Sequence, residues 1–163
     1  MGALLSHQWR FEEAAAYQKR ALVYEPNNFI WWLNIADNLR WAGHRDAALP
    51  YYRKASDLAK AEMTLNPLSA RPRANFAYFS AVLGDKARAE EGITQARNLA
   101  PGNNDVLRRA VLIYEILGER NLALEALRGL TSAELRELTR YPDLAEFCQD
   151  PRFKQQMIDK GGQ

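Results

Sequence analysis

Apolar residues recur along this chain at three- and four-residue spacing, in stretches broken by proline, glycine and asparagine. That spacing puts them on one face of an α-helix. The stretches predict a half-helix over residues 1–8 and helices over 10–25, 29–42, 44–65, 69–83, 86–99, 104–117 and 120–129. The expected buried faces are Ala14, Tyr17, Ala21 and Tyr24 in the first full helix, then Trp32, Ile35, Ala36 and Leu39, then Ala48, Tyr52, Ala55, Leu58 and Met63. Pro26-Asn27-Asn28 ends one helix and caps the next, because proline cannot continue a helix and asparagine accepts from its free amides. Ser69 is placed as a cap, with Pro72 in a first turn where proline is tolerated. After Gly129 the pattern changes. Thr131 to Glu134 forms a capping box before a helix over 132–139. A short helix follows from Pro142 through Cys148, and Asp150-Pro151 opens a last helix over 151–159. The tail Gly161-Gly162-Gln163 is expected to fray.

The helices come in pairs with a fixed period. Gly118 follows Gly84 by 34 residues, Ala123 follows Ala89 and Pro101 follows Pro67 at the same distance. A period of this length holding two helices marks a helical solenoid. Gly43 to Gly84 is 41 residues, seven more than the repeat. Seven residues are almost two helical turns, so the insertion lengthens helix 44–65 while nearly keeping its buried face. The extra turns at Ala59–Leu65 are expected to project, and Pro50 is expected to kink the helix or loosen its first turn.

The repeated positions resemble the tetratricopeptide repeat. One repeat carries Trp32, Ile35-Ala36, Leu39, Gly43, Ala48, Tyr52 and Ala55. The next carries Phe76-Ala77, Gly84, Ala89, Ile93, Ala96 and Pro101, and the next Leu107, Ala110-Val111, Tyr114, Gly118, Ala123 and Leu127. A partial first repeat has Gly2, Leu5, Ala14, Ala21 and Pro26, with Trp9 where the turn glycine should stand. The ending Leu144 to Phe153 looks like the tail that closes such arrays in large bacterial regulators, among them receptor-type kinases, nucleotide cyclases and winged-helix transcription regulators.

Composition narrows the function. A net charge of +2 argues against a dedicated nucleic-acid binder, which concentrates basic charge on one face. One cysteine, Cys148, cannot build a disulfide framework. No apolar run is long enough for a membrane span, and Met1 to Leu5 does not read as a signal peptide. His7, His44 and Cys148 lack the spacing of metal ligands. Glu12-Glu13 and Glu90-Glu91 sit near helix starts, where acids favour the helix dipole. No phosphate loop or nucleophile elbow occurs, so neither enzyme activity nor a cofactor is expected.

The resemblance implies a concave groove lined by the first helix of each hairpin. By register that groove takes Asn34, Asp37, Arg40 and Trp41, then Arg71, Asn75 and Tyr78, then Asp105, Arg108, Arg109, Leu112 and Glu115. Asn75 and Arg109 match two places of a clamp for a peptide carboxylate, whereas Leu33 and Asp37 depart from it. A mixed-charge peptide groove and an ordinary solvated helix face both remain open. Arg71, Arg73, Arg108 and Arg109 suggest a basic patch for an acidic segment, diluted by Asp105 and Glu115. Trp9, Trp31, Trp32 and Trp41 are many tryptophans for a short stretch; Trp32 reads as core, and since Trp31 and Trp41 cannot share its face, one of them either marks a contact surface or is buried against the neighbouring helix.

Together these readings predict an all-α, right-handed superhelical solenoid of antiparallel helix hairpins with a helical C-terminal cap. The solenoid spans 1–130, with repeats at about 28–67, 69–102 and 103–130 after the partial first, and the cap spans 131–163. The expected function is a cytoplasmic protein-protein interaction scaffold holding a peptide or helix of a partner, without nucleic acid. The alternatives are an intramolecular regulatory segment cut from a larger bacterial signalling protein, or a homodimer formed through the open N-terminal half-repeat.

Overall fold

The structure, a computed structural model, describes residues 1–161, and among them every regular element is helical. The chain divides into two compact units, Met1–Leu65 and Asn66 onward. The first holds α1 (Gly2–His7), α2 (Phe11–Ala21), α3 (Phe29–Trp41) and α4 (Arg45–Leu65). The second holds α5 (Ala70–Val82), α6 (Lys86–Leu99), α7 (Asn104–Ile116), α8 (Arg120–Leu127), α9 (Ser132–Leu138) and α10 (Pro151–Gly161). Two single 3₁₀ turns, Pro142–Leu144 and Phe147–Gln149, stand where one short helix was expected. Gly161 ends α10, and the rest of the tail expected to fray lies outside the described residues.

Each hairpin turns in the same way. Gly43, Gly84 and Gly118 have φ of 90°, 86° and 76°, the left-handed region that a residue without Cβ enters freely. The residue after each returns its amide to a carbonyl five positions back: His44 to Leu39 (2.9 Å), Asp85 to Ser80 (2.8 Å) and Glu119 to Tyr114 (2.7 Å). This 6→1 bond is the Schellman closure of a helix. The first turn keeps the same bond, Arg10 to Leu5 at 3.0 Å, with Trp9 at φ 61° in the glycine position. The fold is therefore TPR-like in every hairpin, including the one whose glycine is missing.

The turn sets the register of the core. Five residues after each turn residue stand Ala14, Ala48, Ala89 and Ala123, all at most 1 % exposed. Nine after it stand Gln18, Tyr52, Ile93 and Leu127, all buried. Seven before it stand Gly2, Ala36, Ala77 and Val111, also buried. Small residues let paired helices approach, and larger ones fill the space between hairpins. The closest approach is at Gly92 in α6, where an added Cβ would lie 2.9 Å from the Cβ of Ala77 in α5.

Several expectations change. The buried face of α2 is Ala14, Ala15 and Gln18. Tyr17 and Tyr24 of the expected stripe are exposed: the buried face runs through Ala15 and Gln18, which leaves Tyr17 at its edge, and α2 ends at Ala21, before Tyr24. Trp32 is half-buried rather than core; its indole N–H donates to the Pro26 carbonyl at 2.8 Å, which holds the ring at the hairpin edge. In the lengthened part of α4, Ala59 is fully buried, and Glu62 and Met63 are half-buried, so one face stays covered. Pro50 lies inside α4, which the structure keeps as one helix. Ser69 occupies the N-cap of α5, but its side chain makes no capping bond. Thr131 caps α9 by accepting from the Glu134 amide (3.3 Å), whereas the Glu134 carboxylate turns to Arg108 and Asn104.

Two measurements test this packing. Gly92→Ala gains about 1 kcal/mol of helix propensity but overpacks the α5–α6 contact at a cost of about 1–3 kcal/mol. A net loss of about 1 kcal/mol is expected in denaturant unfolding, with Gly102→Ala, whose Cβ would meet open space, nearly silent. The second concerns Asp150, whose carboxyl is held at about 2, below its ordinary 3.8, by hydrogen bonds from the side chain and then the backbone of Arg152. A depressed carboxyl stabilises the fold above its ordinary pKa and loses that contribution as pH falls through 2. Asp150→Asn should melt below the wild type at neutral pH, and the difference should close on acidification to about pH 2.

Candidate protein-binding surface

In the first unit the register places Asn34, Asp37 and Trp41 on α3. Asn34 is half-buried, and its carbonyl accepts from Asn38 Nδ2 at 2.7 Å. Asp37 is only 5 % exposed and accepts from the Tyr52 hydroxyl at 2.5 Å. Arg40 Nε donates to that same hydroxyl at 2.8 Å, and its Nη2 lies 3.8 Å from Asp37. Asp37 is thus an internal strut between α3 and α4, with its charge balanced by Arg40. Trp41 is half-buried against Phe11, with ring centroids 5.6 Å apart. Trp31 is also half-buried, and its indole N–H donates to Glu25 at 3.2 Å. The tryptophan most open to solvent is Trp9, at 61 % exposure.

In the second unit α5 carries Arg71, Asn75 and Tyr78, and α7 carries Arg108, Arg109 and Leu112. The structure brings Tyr78 and Arg109 together: the guanidinium lies over the ring, 4.6 Å from its centroid. Asn75 is 4 % exposed, and its Nδ2 donates to the Arg71 carbonyl at 2.9 Å. Its Oδ1 is buried with no hydrogen-bond partner, and so is Arg109 Nη1. One unpaired acceptor and one unpaired donor therefore lie on neighbouring helices. Leu112, only 1 % exposed, packs inside and offers no binding face. The basic patch is smaller than its sequence suggests. Arg108 is held by Glu134 and Asp105. Arg73 donates to Gln95 (2.6 Å) and the Pro67 carbonyl (3.0 Å). Arg71 is exposed at the start of α5.

Sequence reasoning missed three polar positions, Ser6, Gln18 and Asn38. Asn38 Nδ2 donates to Gln18 Oε1 (3.1 Å), and Ser6 Oγ donates to Asn38 Oδ1 (2.7 Å), tying α1, α2 and α3 through a buried polar chain. The signal was Gln18 itself, which stands in the register of Tyr52, Ile93 and Leu127. Burial, and then the Glu115 charge, push the Cys148 thiol up to about 11, so it stays protonated at neutral pH and is a poor nucleophile. Among the described residues no group of three His, Cys, Asp or Glu side chains converges to hold a metal, and no helix is long and apolar enough to cross a membrane.

No family model matches the sequence. The chain is similar to mitochondrial ATP synthase subunit d of Aspergillus terreus, 30 % identical over 112 residues. The match takes in 67 % of this chain and spans 62 % of that relative's length. Among solved structures, two crystal structures of MamA are 17 % and 16 % identical, with TM-scores of 0.45 and 0.46. The first alignment covers 99 % of this chain and 88 % of MamA, the second 100 % and 98 %. A third, YrrB, described as a TPR protein with an unusual peptide-binding site, is 18 % identical at a TM-score of 0.40, over 91 % of this chain and 88 % of YrrB. The TPR-like character of the present chain rests on its own turns and register.

The Asp37 strut is open to test. Tyr52→Phe removes a hydrogen bond to a buried carboxylate, and such bonds contribute about 1.5–3 kcal/mol. Chemical unfolding should show a loss in that range. An unchanged midpoint would mean that Asp37 is not held by Tyr52.

Proposed function

We propose that this chain is a protein-interaction module and that the face made by α5 and α7 holds an extended segment of a partner. The single observation that carries this reading is the pair of buried, unpartnered atoms, Asn75 Oδ1 and Arg109 Nη1. A buried polar atom without a partner costs about 1–3 kcal/mol. A peptide group supplies the complement of both: its N–H donates to Asn75 Oδ1, and its C=O accepts from Arg109. Both atoms are covered in the free chain, so the partner must displace Arg109. The arginine is held by the Tyr78 ring stack, worth about 0.5–2 kcal/mol, and can move at modest cost. Arg71, exposed at the start of the same helix, adds a preference for an acidic neighbour in the bound segment.

The modules that present this face follow the repeat. We read a partial first repeat, repeats at about 28–67, 69–102 and 103–130, and a cap from 131 to 163. Asp37 and Leu112 belong to the packing of these modules, and Asn34, Trp41 and Arg108 border their open faces. Mitochondrial ATP synthase subunit d, similar over 112 residues, is by its name one component of an assembly. That agrees with a chain that works by contact rather than by chemistry.

The test selects 12-residue peptides on the wild-type chain from a random display library and measures their affinity by calorimetry. Asn75→Ala and Arg109→Ala should each weaken binding by about tenfold or more, the equivalent of about 1.4 kcal/mol. Arg109→Ala should lower stability by no more than the about 0.5–2 kcal/mol of the Tyr78 stack, so that a larger loss of binding reports the contact itself. Peptides that bind all three proteins equally, or no selected peptide, would remove the site from this face.

A further inference from the structure

We propose that Trp9, Phe11 and Glu12, at the first turn of the first unit, form a receptor for an arginine side chain of a partner protein. The argument starts from the backbone. Trp9 occupies the left-handed position that Gly43, Gly84 and Gly118 fill in the other hairpins. A side chain with a Cβ is strained there, and strain of this kind concentrates at functional sites. The turn itself asks for no indole, because the same closing bond forms in the three glycine turns. Nor does packing within the chain account for it: Trp9 remains 61 % exposed, and its ring meets that of Phe11 at 5.7 Å, tilted by 52°.

What surrounds the ring says what it could take. Trp9, Phe11 and Ala42 line an open cavity of about 300 Å³ together with Arg10, Glu12 and Glu13. Phe11 continues the aromatic wall to Trp41 at 5.6 Å. Arg10 is forked onto Glu13 through Nε (2.7 Å) and Nη2 (2.5 Å), so these two charges cancel. Glu12 makes one bond, in which Oε1 accepts from His44 Nε2 at 2.7 Å, and is otherwise open to water. Electron-rich ring faces beside a carboxylate suit a cation. A planar guanidinium fits better than an ammonium, because it stacks on an indole while its N–H groups reach the acid. Acids on a first helical turn also favour the helix dipole, so the exposed aromatic wall, not the carboxylates, distinguishes this place. The site lies in the first unit and is independent of the α5–α7 face.

The experiment uses three probes on the full chain: acetylated and amidated Gly-Arg-Gly, Gly-Leu-Gly and Gly-Glu-Gly. Binding is followed by the indole N–H resonances of Trp9 and Trp41. The arginine peptide should shift the Trp9 resonance saturably and, through Phe11, the Trp41 resonance with the same midpoint, and the leucine and glutamate peptides should shift neither. Glu12→Gln should weaken the arginine peptide at least about threefold. Trp9→Gly should abolish the shift seen at Trp41 and yet melt no lower than the wild type, since glycine suits the turn. No saturable shift, an equal shift with the leucine peptide, or a Trp9→Gly variant that melts clearly lower would overturn the proposal. The last result would mean that Trp9 is kept for packing.

Discussion

Every hairpin in this chain depends on one residue that bends the backbone into the left-handed region. That residue brings the following amide back to a carbonyl five positions earlier, and the same residue that closes one helix starts the next. His44, Asp85 and Glu119 each donate to the helix behind them and accept, through their carbonyls, from Ala48, Ala89 and Ala123 ahead. Two helices are thereby joined with no slack, and their relative register follows from the turn alone. Alanine five residues on and a buried residue nine residues on are consequences of that geometry. The positions recur because the turn recurs.

Polar residues enter this apolar register at a few places, and each time with a partner. Gln18 meets Asn38, Asp37 meets Tyr52 and Arg40, and Arg108 meets Glu134. A buried polar group stripped of water is costly unless it is hydrogen-bonded. The Gln18–Asn38 pair therefore restricts how the first hairpin sits beside the second, where an all-apolar seam would tolerate several arrangements. The closing helix works by the same rule. Lys160 of α10 donates to the carbonyls of Leu127, Arg128 and Leu130, at and just beyond the end of α8. Against this background four buried side-chain atoms lack a partner among the described residues, Arg73 Nε, Asn75 Oδ1, Arg109 Nη1 and Gln156 Oε1, and of these Asn75 and Arg109 offer an acceptor and a donor on the neighbouring helices α5 and α7.

Much of the fold was legible from local signals. Periodic alanines, turn glycines and Pro101 place α3 to α8 within a residue or two, because helix spacing and chain breaks act over a few residues. The 34-residue recurrence then implied a solenoid of paired helices. The candidate surface was legible only as a list of positions on the first helix of each hairpin. Register puts Asp37, Asn75 and Leu112 in comparable places, yet one is an internal strut, one carries an unpaired acceptor and one is core. The sequence also marked Trp9 as a missing glycine, without saying that the turn would form regardless.

The sequence by itself determined the helices, their order and the turns between them, since each rests on residues close along the chain and on glycine's access to positive φ. Tertiary structure decided which polar side chains are spent inside and which are left to a partner. Whether Gln18 finds Asn38, Arg108 finds Glu134 or Arg109 settles on Tyr78 depends on residues 20 to 31 positions apart. Burial, which sets the cost of an unpaired atom, exists only once the helices have packed.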